Sequence, residues 1–164
     1  MNKQQINFTI EEYNSIEDLA KEDAELLAQA RKITADAYAP YSNFQVAACA
    51  KLVNGKTIGG TNQENASYPA GICAERSLMS AASSLYPGVG IETIAITYNN
   101  LNGKSEHPIS PCGVCRQSFA EFQQRTKHTI RIILSGMEGK VQVINDSLQL
   151  LPLVFTSDDM NKAS

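Results

Sequence analysis

Apolar positions recur along this chain in two rhythms, every second residue in some stretches and every third or fourth in others. Ile6, Phe8 and Ile10 alternate with Asn7 and Thr9, a short strand signal near the N-terminus. Leu19, Leu26, Ala30, Ile33 and Ala37 then fall at helical spacing. Ser15-Ile16-Glu17-Asp18 supplies the hydroxyl and acidic residues of a helix start, and Pro40 is the predicted stop. Residues 44–53 predict a strand, and Asn54-Gly55 a two-residue hairpin turn into a second strand ending near Thr61. A helix is predicted from Cys73 to about Leu85, ahead of Pro87-Gly88, and the β-branched run over residues 91–98 predicts a third strand. Pro111 suits the first turn of a helix running to about Gln124, because its missing N–H would have no partner there. Residues 130–134 and 141–144 predict two strands around a Gly-containing turn, and a short helix over 147–151 ends at Pro152. This alternation predicts an α/β chain, a three-layer α-β-α sandwich with one mixed sheet of about five strands.

Composition narrows the partners. The chain has 164 residues and 17.8 kDa, enough for one domain over 1–164 with a real core, and residues 1–15 read as an N-terminal extension. Its 14 basic residues are scattered against 17 acidic ones, so no basic run offers a phosphate-tracking groove. A small molecule is therefore the expected partner, and a nucleic-acid polymer is not. The polar Met1-Asn2-Lys3-Gln4-Gln5 leads into no apolar signal segment, and no stretch approaches the roughly 20 apolar residues of a membrane span. A cytoplasmic protein is expected, and in that compartment clustered cysteines are ligands or catalysts more often than disulfides. Cys49, inside Val46-Ala47-Ala48-Cys49-Ala50, reads as a core residue.

The chemistry concentrates in Cys73-Ala74-Glu75-Arg76 and Pro111-Cys112-Gly113-Val114-Cys115. Zinc prefers four ligands, so thiolates from Cys73, Cys112 and Cys115 would hold one ion and leave a position open for water. Glu75 is placed to carry a proton there without being a ligand. Cys112 and Cys115, three apart at a helix start, project from one face of its first turn. Cys73 opens the other helix, so both helix dipoles favour thiolates at the site. Three thiolates on a divalent cation carry a formal charge of about −1, which Arg76 is expected to offset by donating to cysteine sulfur. A closed structural zinc site would need a fourth ligand, for which His107 is the nearest candidate; His128 reads as a surface or capping residue. The spacing matches the signature of zinc deaminases of bases and nucleosides in its all-cysteine form.

The chain resembles the cytidine deaminases, specifically the small homotetrameric kind, over roughly residues 25–160. The resemblance is carried by residues 37–44 (AYAPYSNF), 62–66 (NQENA), 68–76 (YPAGICAER), 109–117 (ISPCGVCRQ) and the tail 150–155 (LLPLVF). It implies hydrolytic deamination of cytidine and deoxycytidine in pyrimidine salvage, with one zinc ion per subunit and Glu75 as the proton carrier. It further implies that Asn62 and Glu64 grip the ribose hydroxyls and that Phe44 packs beside the nucleoside. The Ala74 N–H is implied to meet the pyrimidine carbonyl and the Ser110 carbonyl the amino group. Tyr68 and Phe155 correspond to residues supplied at or near a neighbouring subunit's site. Ala47 stands where the family commonly has Gly, and the segment 99–107 is a long loop. Two other readings stay open at this point: a deaminase of another aminopyrimidine nucleoside, such as a blasticidin-type antibiotic, and a non-catalytic zinc or nucleoside-binding homologue.

Overall fold

Along β2 (Phe44–Leu52), Ala48, Ala50 and Leu52 enter one apolar cluster while Cys49 enters another on the opposite face. That two-residue alternation makes β2 a strand covered on both sides, and the rest of the fold is arranged around it. The computed structural model describes residues 1–161. Its other strands are β1 (Glu11–Tyr13), β3 (Thr57–Thr61), β4 (Ile91–Asn100), β5 (Arg131–Ser135) and β6 (Val141–Ile144). Its helices are α1 (Lys21–Ile33), α2 (Ala74–Leu85), α3 (Gly113–Thr126) and α4 (Ser157–Asn161). The sheet order is β1-β6-β5-β4-β2-β3, with β4 and β5 parallel and the other pairs antiparallel. Leu26, Leu27 and Ala30 of α1 cover one face of the sheet. Leu78, Met79 and Ala82 of α2, with Phe119 and Phe122 of α3, cover the other. The expected three-layer sandwich is therefore present, with six strands instead of about five.

The sixth strand lies beside the place where the alternation pointed. Ile6, Phe8 and Ile10 belong to no strand and are exposed, whereas Glu11, Glu12 and Tyr13 pair with Val143, Gln142 and Val141. The four residues of β6 give no partners to Ile6 or Phe8. Helix α1 begins at Lys21, because residues 16–18 close a separate 3₁₀ turn in which Asp18 accepts from the Asn14 N–H at 3.1 Å. It ends at Ile33, well before Pro40, where the Thr34 hydroxyl donates to the Arg31 carbonyl at 2.8 Å and a 3₁₀ turn follows. Residues 147–150 likewise form a 3₁₀ turn. Helix α4 lacks apolar periodicity, but Thr156 and Asp159 cap it: Asp159 accepts from the Thr156 N–H at 2.8 Å.

Because β3 and β4 are both antiparallel to β2, they run the same way and end at the same edge of the sheet. The chain leaving each returns as a helix, so the N-termini of α2 and α3 meet beyond the carboxyl ends of these strands, where open α/β sheets bind their ligands. Gly60 fixes how closely α2 approaches. A Cβ there would lie 2.5 Å from the Leu78 backbone nitrogen and 2.8 Å from the Ala74 carbonyl oxygen. Gly60→Ala must push α2 off β3, an overpacking cost of about 2–3 kcal/mol, equivalent to a fall of roughly 5–10 °C in melting temperature. A thermal melt checks this, and an unchanged midpoint would contradict the packing described.

Candidate active site

The two helices open on cysteines where Ser, Thr, Asp or Asn would cap better. Cys73 is the N-cap of α2 and Cys112 the N-cap of α3, both in extended backbone, and neither side chain makes a capping hydrogen bond. Pro111 therefore precedes the cap of α3 instead of occupying its first turn. It is buried, and its carbonyl accepts from the Arg116 Nε at 2.9 Å. Cys115 follows one turn into α3 and is fully buried.

The three sulfurs lie within 4.8 Å of one another, with Cys73–Cys112 at 3.7 Å and Cys112–Cys115 at 3.5 Å. A tetrahedral ion with Zn–S bonds of about 2.3 Å sets its sulfurs roughly 3.8 Å apart, so the donor set and its spacing suit one zinc ion. The Cys73 thiol is lowered to about 6, chiefly by the hydrogen bond from the Cys115 thiol, with Cys112 and the Arg76 charge adding to it. The Cys115 thiol is correspondingly raised. Arg76 thus bears on the cluster through its charge. His107 points elsewhere, its ring edge-on to Tyr98 and its Nδ1 3.3 Å from the Tyr98 hydroxyl. Among the described residues the cluster has three members and no fourth. Cys49 is buried in the core beneath α1, its thiol pushed up to about 11 by that burial.

Glu75, in the first turn of α2, is 5% exposed. Burial raises its carboxyl above the ordinary range; its own N–H opposes this, the Cys73 charge adds to it, and the Cys115 thiol opposes it weakly. A carboxyl so placed is both a competent acid and a competent base.

A cleft of about 570 Å³ opens above the cysteines. It brings together Asn62, Glu64, Tyr68, Ala74, Glu75 and Ser110. Gln63 and Ile72 of its lining form an isolated bridge, and Gln63 also pairs with Tyr38. The Asn62 side chain is held by β2, accepting from the Val46 N–H at 2.7 Å and donating to the Phe44 carbonyl at 3.0 Å. Glu64 accepts from the Tyr41 N–H at 2.8 Å, and its carboxyl is lowered chiefly by the Ser42 hydroxyl. Two expected residues stand off the cleft. Phe44 stacks on Tyr98, ring centroids 4.8 Å apart, and Phe155 lies outside, its carbonyl accepting from the Gln117 side chain at 2.7 Å. Tyr41, Ser42 and Ile109 line the cleft without having been singled out. The first two belong to the 37–44 segment and the third to the 109–117 segment, so the quoted motifs held the signal.

Comparison with known proteins supplies relatives for the whole arrangement. Residues 20–130 match the family described as "Cytidine and deoxycytidylate deaminase zinc-binding region". A cytidine deaminase of Halalkalibacterium halodurans is 37% identical over 136 residues, covering 83% of this chain and 96% of the relative. One of Mycoplasma genitalium is 42% identical over 103 residues, 62% of this chain and 75% of that one. Among solved structures, the cytidine deaminase of Burkholderia pseudomallei superposes with a TM-score of 0.70 at 36% identity, covering 84% of this chain and 100% of that one.

Proposed function

The chain belongs to the zinc-binding cytidine and deoxycytidylate deaminase family, and from that premise we propose that it hydrolyses cytidine and deoxycytidine to the uracil nucleosides and ammonia. The observation that carries this reading is Glu75, buried and with its carboxyl raised by that burial, beside a three-cysteine cluster at the foot of an open cleft. When bound, zinc supplies the Lewis acid that makes water nucleophilic near neutral pH. Glu75 accepts the proton of the attacking water and gives it to ring nitrogen N3 as the C4–O bond forms. It then takes the proton of the new C4 hydroxyl and passes it to the exocyclic amine, the C4=O bond forms as the C4–N4 bond breaks, and ammonia leaves. The Ala74 N–H and the Ser110 carbonyl orient the base, and Asn62 and Glu64 meet the sugar hydroxyls.

The family takes its description from both nucleosides and nucleotides, and the cleft favours the former. Among the described residues no Lys or Arg lines it, while two acidic side chains, Glu64 and Glu75, do. A phosphate would enter unpaired against negative charge, so the monophosphate is rejected. Purified protein loaded with zinc should convert cytidine steadily to uridine, followed by ultraviolet absorbance, and leave deoxycytidylate almost untouched. Activity confined to another aminopyrimidine nucleoside, or none at all with zinc bound, would refute this assignment.

We further propose a cytoplasmic homotetramer serving pyrimidine salvage. Tyr68, which lines the cleft at 75% exposure, and Phe155, outside it at 59%, are large aromatics left in water, which suits their meeting a neighbouring subunit. A monomeric elution volume at micromolar concentration would exclude this assembly.

A further inference from the structure

The long loop after β4 has no part in the chemistry above, yet it is firmly built. The Asn100 N–H donates to the Ser105 hydroxyl at 2.8 Å, and the Asn102 N–H to the Asn100 side chain at 3.0 Å. Ser105 is 7% exposed, and its carbonyl accepts from the Glu138 N–H at 3.2 Å. At Gly136 a Cβ would lie 2.0 Å from that same carbonyl oxygen, so the turn between β5 and β6 closes directly onto the loop. The loop is thus seated on the sheet, and it presents Leu101 and Asn102 to the Ser42–Asn43 turn.

That turn needs outside support. Asn43 has φ 54, a left-handed conformation that a residue with a side chain holds at a cost of about 1 kcal/mol or more. The support comes from the loop. The Leu101 N–H donates to the Asn43 carbonyl at 2.9 Å and the Asn102 side-chain amide to the Ser42 carbonyl at 3.1 Å. The Asn43 amide completes the contact on the Asn102 side chain at 3.4 Å. On its other face the turn grips Glu64. The N–H groups of Tyr41 and Ser42 reach one carboxylate oxygen at 2.8 and 3.3 Å, and the Ser42 hydroxyl reaches the other.

We infer that Asn102 is a positioning residue for Glu64, acting through the Ser42–Asn43 turn to set how the site recognises the sugar of its substrate. The inference rests on the assignment of Glu64 to the sugar hydroxyls. Leu101 contributes through its backbone, so Asn102 is the link a substitution can cut. Asn102 is exposed and outside the cleft, so its removal spares the core and the metal cluster.

The test compares Asn102→Ala with the unaltered protein on cytidine and on 2′,3′-dideoxycytidine, which lacks the 2′ and 3′ hydroxyls of the ribose. Melting temperature and zinc content serve as folding controls. For cytidine, KM should rise about three- to tenfold, the size of one hydrogen bond's placement, with kcat within about twofold. For the dideoxy substrate KM should not move. In a Glu64→Ala background the substitution should add nothing. An equal loss on both substrates, a loss confined to kcat, or no change on cytidine would each overturn the inference. If the unaltered protein shows the same KM for both substrates, the sugar assignment of Glu64 is itself wrong and the inference falls with it.

Discussion

Glu75→Gln should abolish nearly all turnover while leaving zinc content and melting temperature unchanged. Gln keeps the shape of the buried side chain but cannot accept the proton of water, so every proton transfer assigned to this position is lost together. Removing one general acid–base group costs about 10²- to 10⁴-fold, and here a single carboxyl serves attack and departure, so a loss toward the upper end is expected. Glu75 is 5% exposed and pushed toward its protonated form by that burial. A neutral amide there relieves the burial of charge and does not destabilise the fold. The measurement is kcat from the absorbance change on cytidine, with zinc determined by atomic absorption on the same sample. A variant retaining near-normal kcat with full zinc would remove Glu75 from the mechanism.

Cys112→Ala should release the metal and the activity together. The cluster offers three sulfurs and, among the described residues, no fourth ligand to take up the loss. A two-thiolate remainder binds zinc far more weakly. Losing only a supporting residue costs about 10- to 100-fold in metal affinity, and loss of a ligand exceeds that. Cys112 is the informative choice because it is exposed at the cap of α3, whereas Cys115 is fully buried and its truncation would also leave a hole in the core. A chelator titration read by zinc release, with the melt recorded alongside, separates metal loss from unfolding. The unaltered protein should lose activity to the chelator and regain it when zinc is restored. Zinc held at normal affinity by the variant would mean that the ion is bound elsewhere.

Much of this was legible in one dimension. The hairpin at Asn54-Gly55, the strands of the core and the helix start at Cys73 follow from periodicity and turn chemistry, because those signals act over a few residues, whereas the next helix starts after Cys112 and not at Pro111. The elements that shifted did so where local and tertiary preferences differ. Ile6, Phe8 and Ile10 alternate as a strand should, but they remain exposed and unpaired, and Glu11–Tyr13 takes the edge instead. Phe44 reads as a nucleoside contact by resemblance, yet its ring is stacked on Tyr98 from the neighbouring strand.

By itself the sequence picked out the three cysteines that cluster and proposed Glu75 as the proton carrier. Cys112 and Cys115, three apart at a helix start, share one face of its first turn, and Glu75 follows Cys73 by two residues. Only the tertiary structure decided that Cys73, 39 residues before Cys112, comes within 3.7 Å of it. That meeting requires β3 and β4 to run the same way and Gly60 to let α2 lie close against the sheet. Tertiary structure likewise decided that Asn102 holds the turn that grips Glu64, because hydrogen bonds between loops depend on strand register, and no local pattern encodes register across such distances.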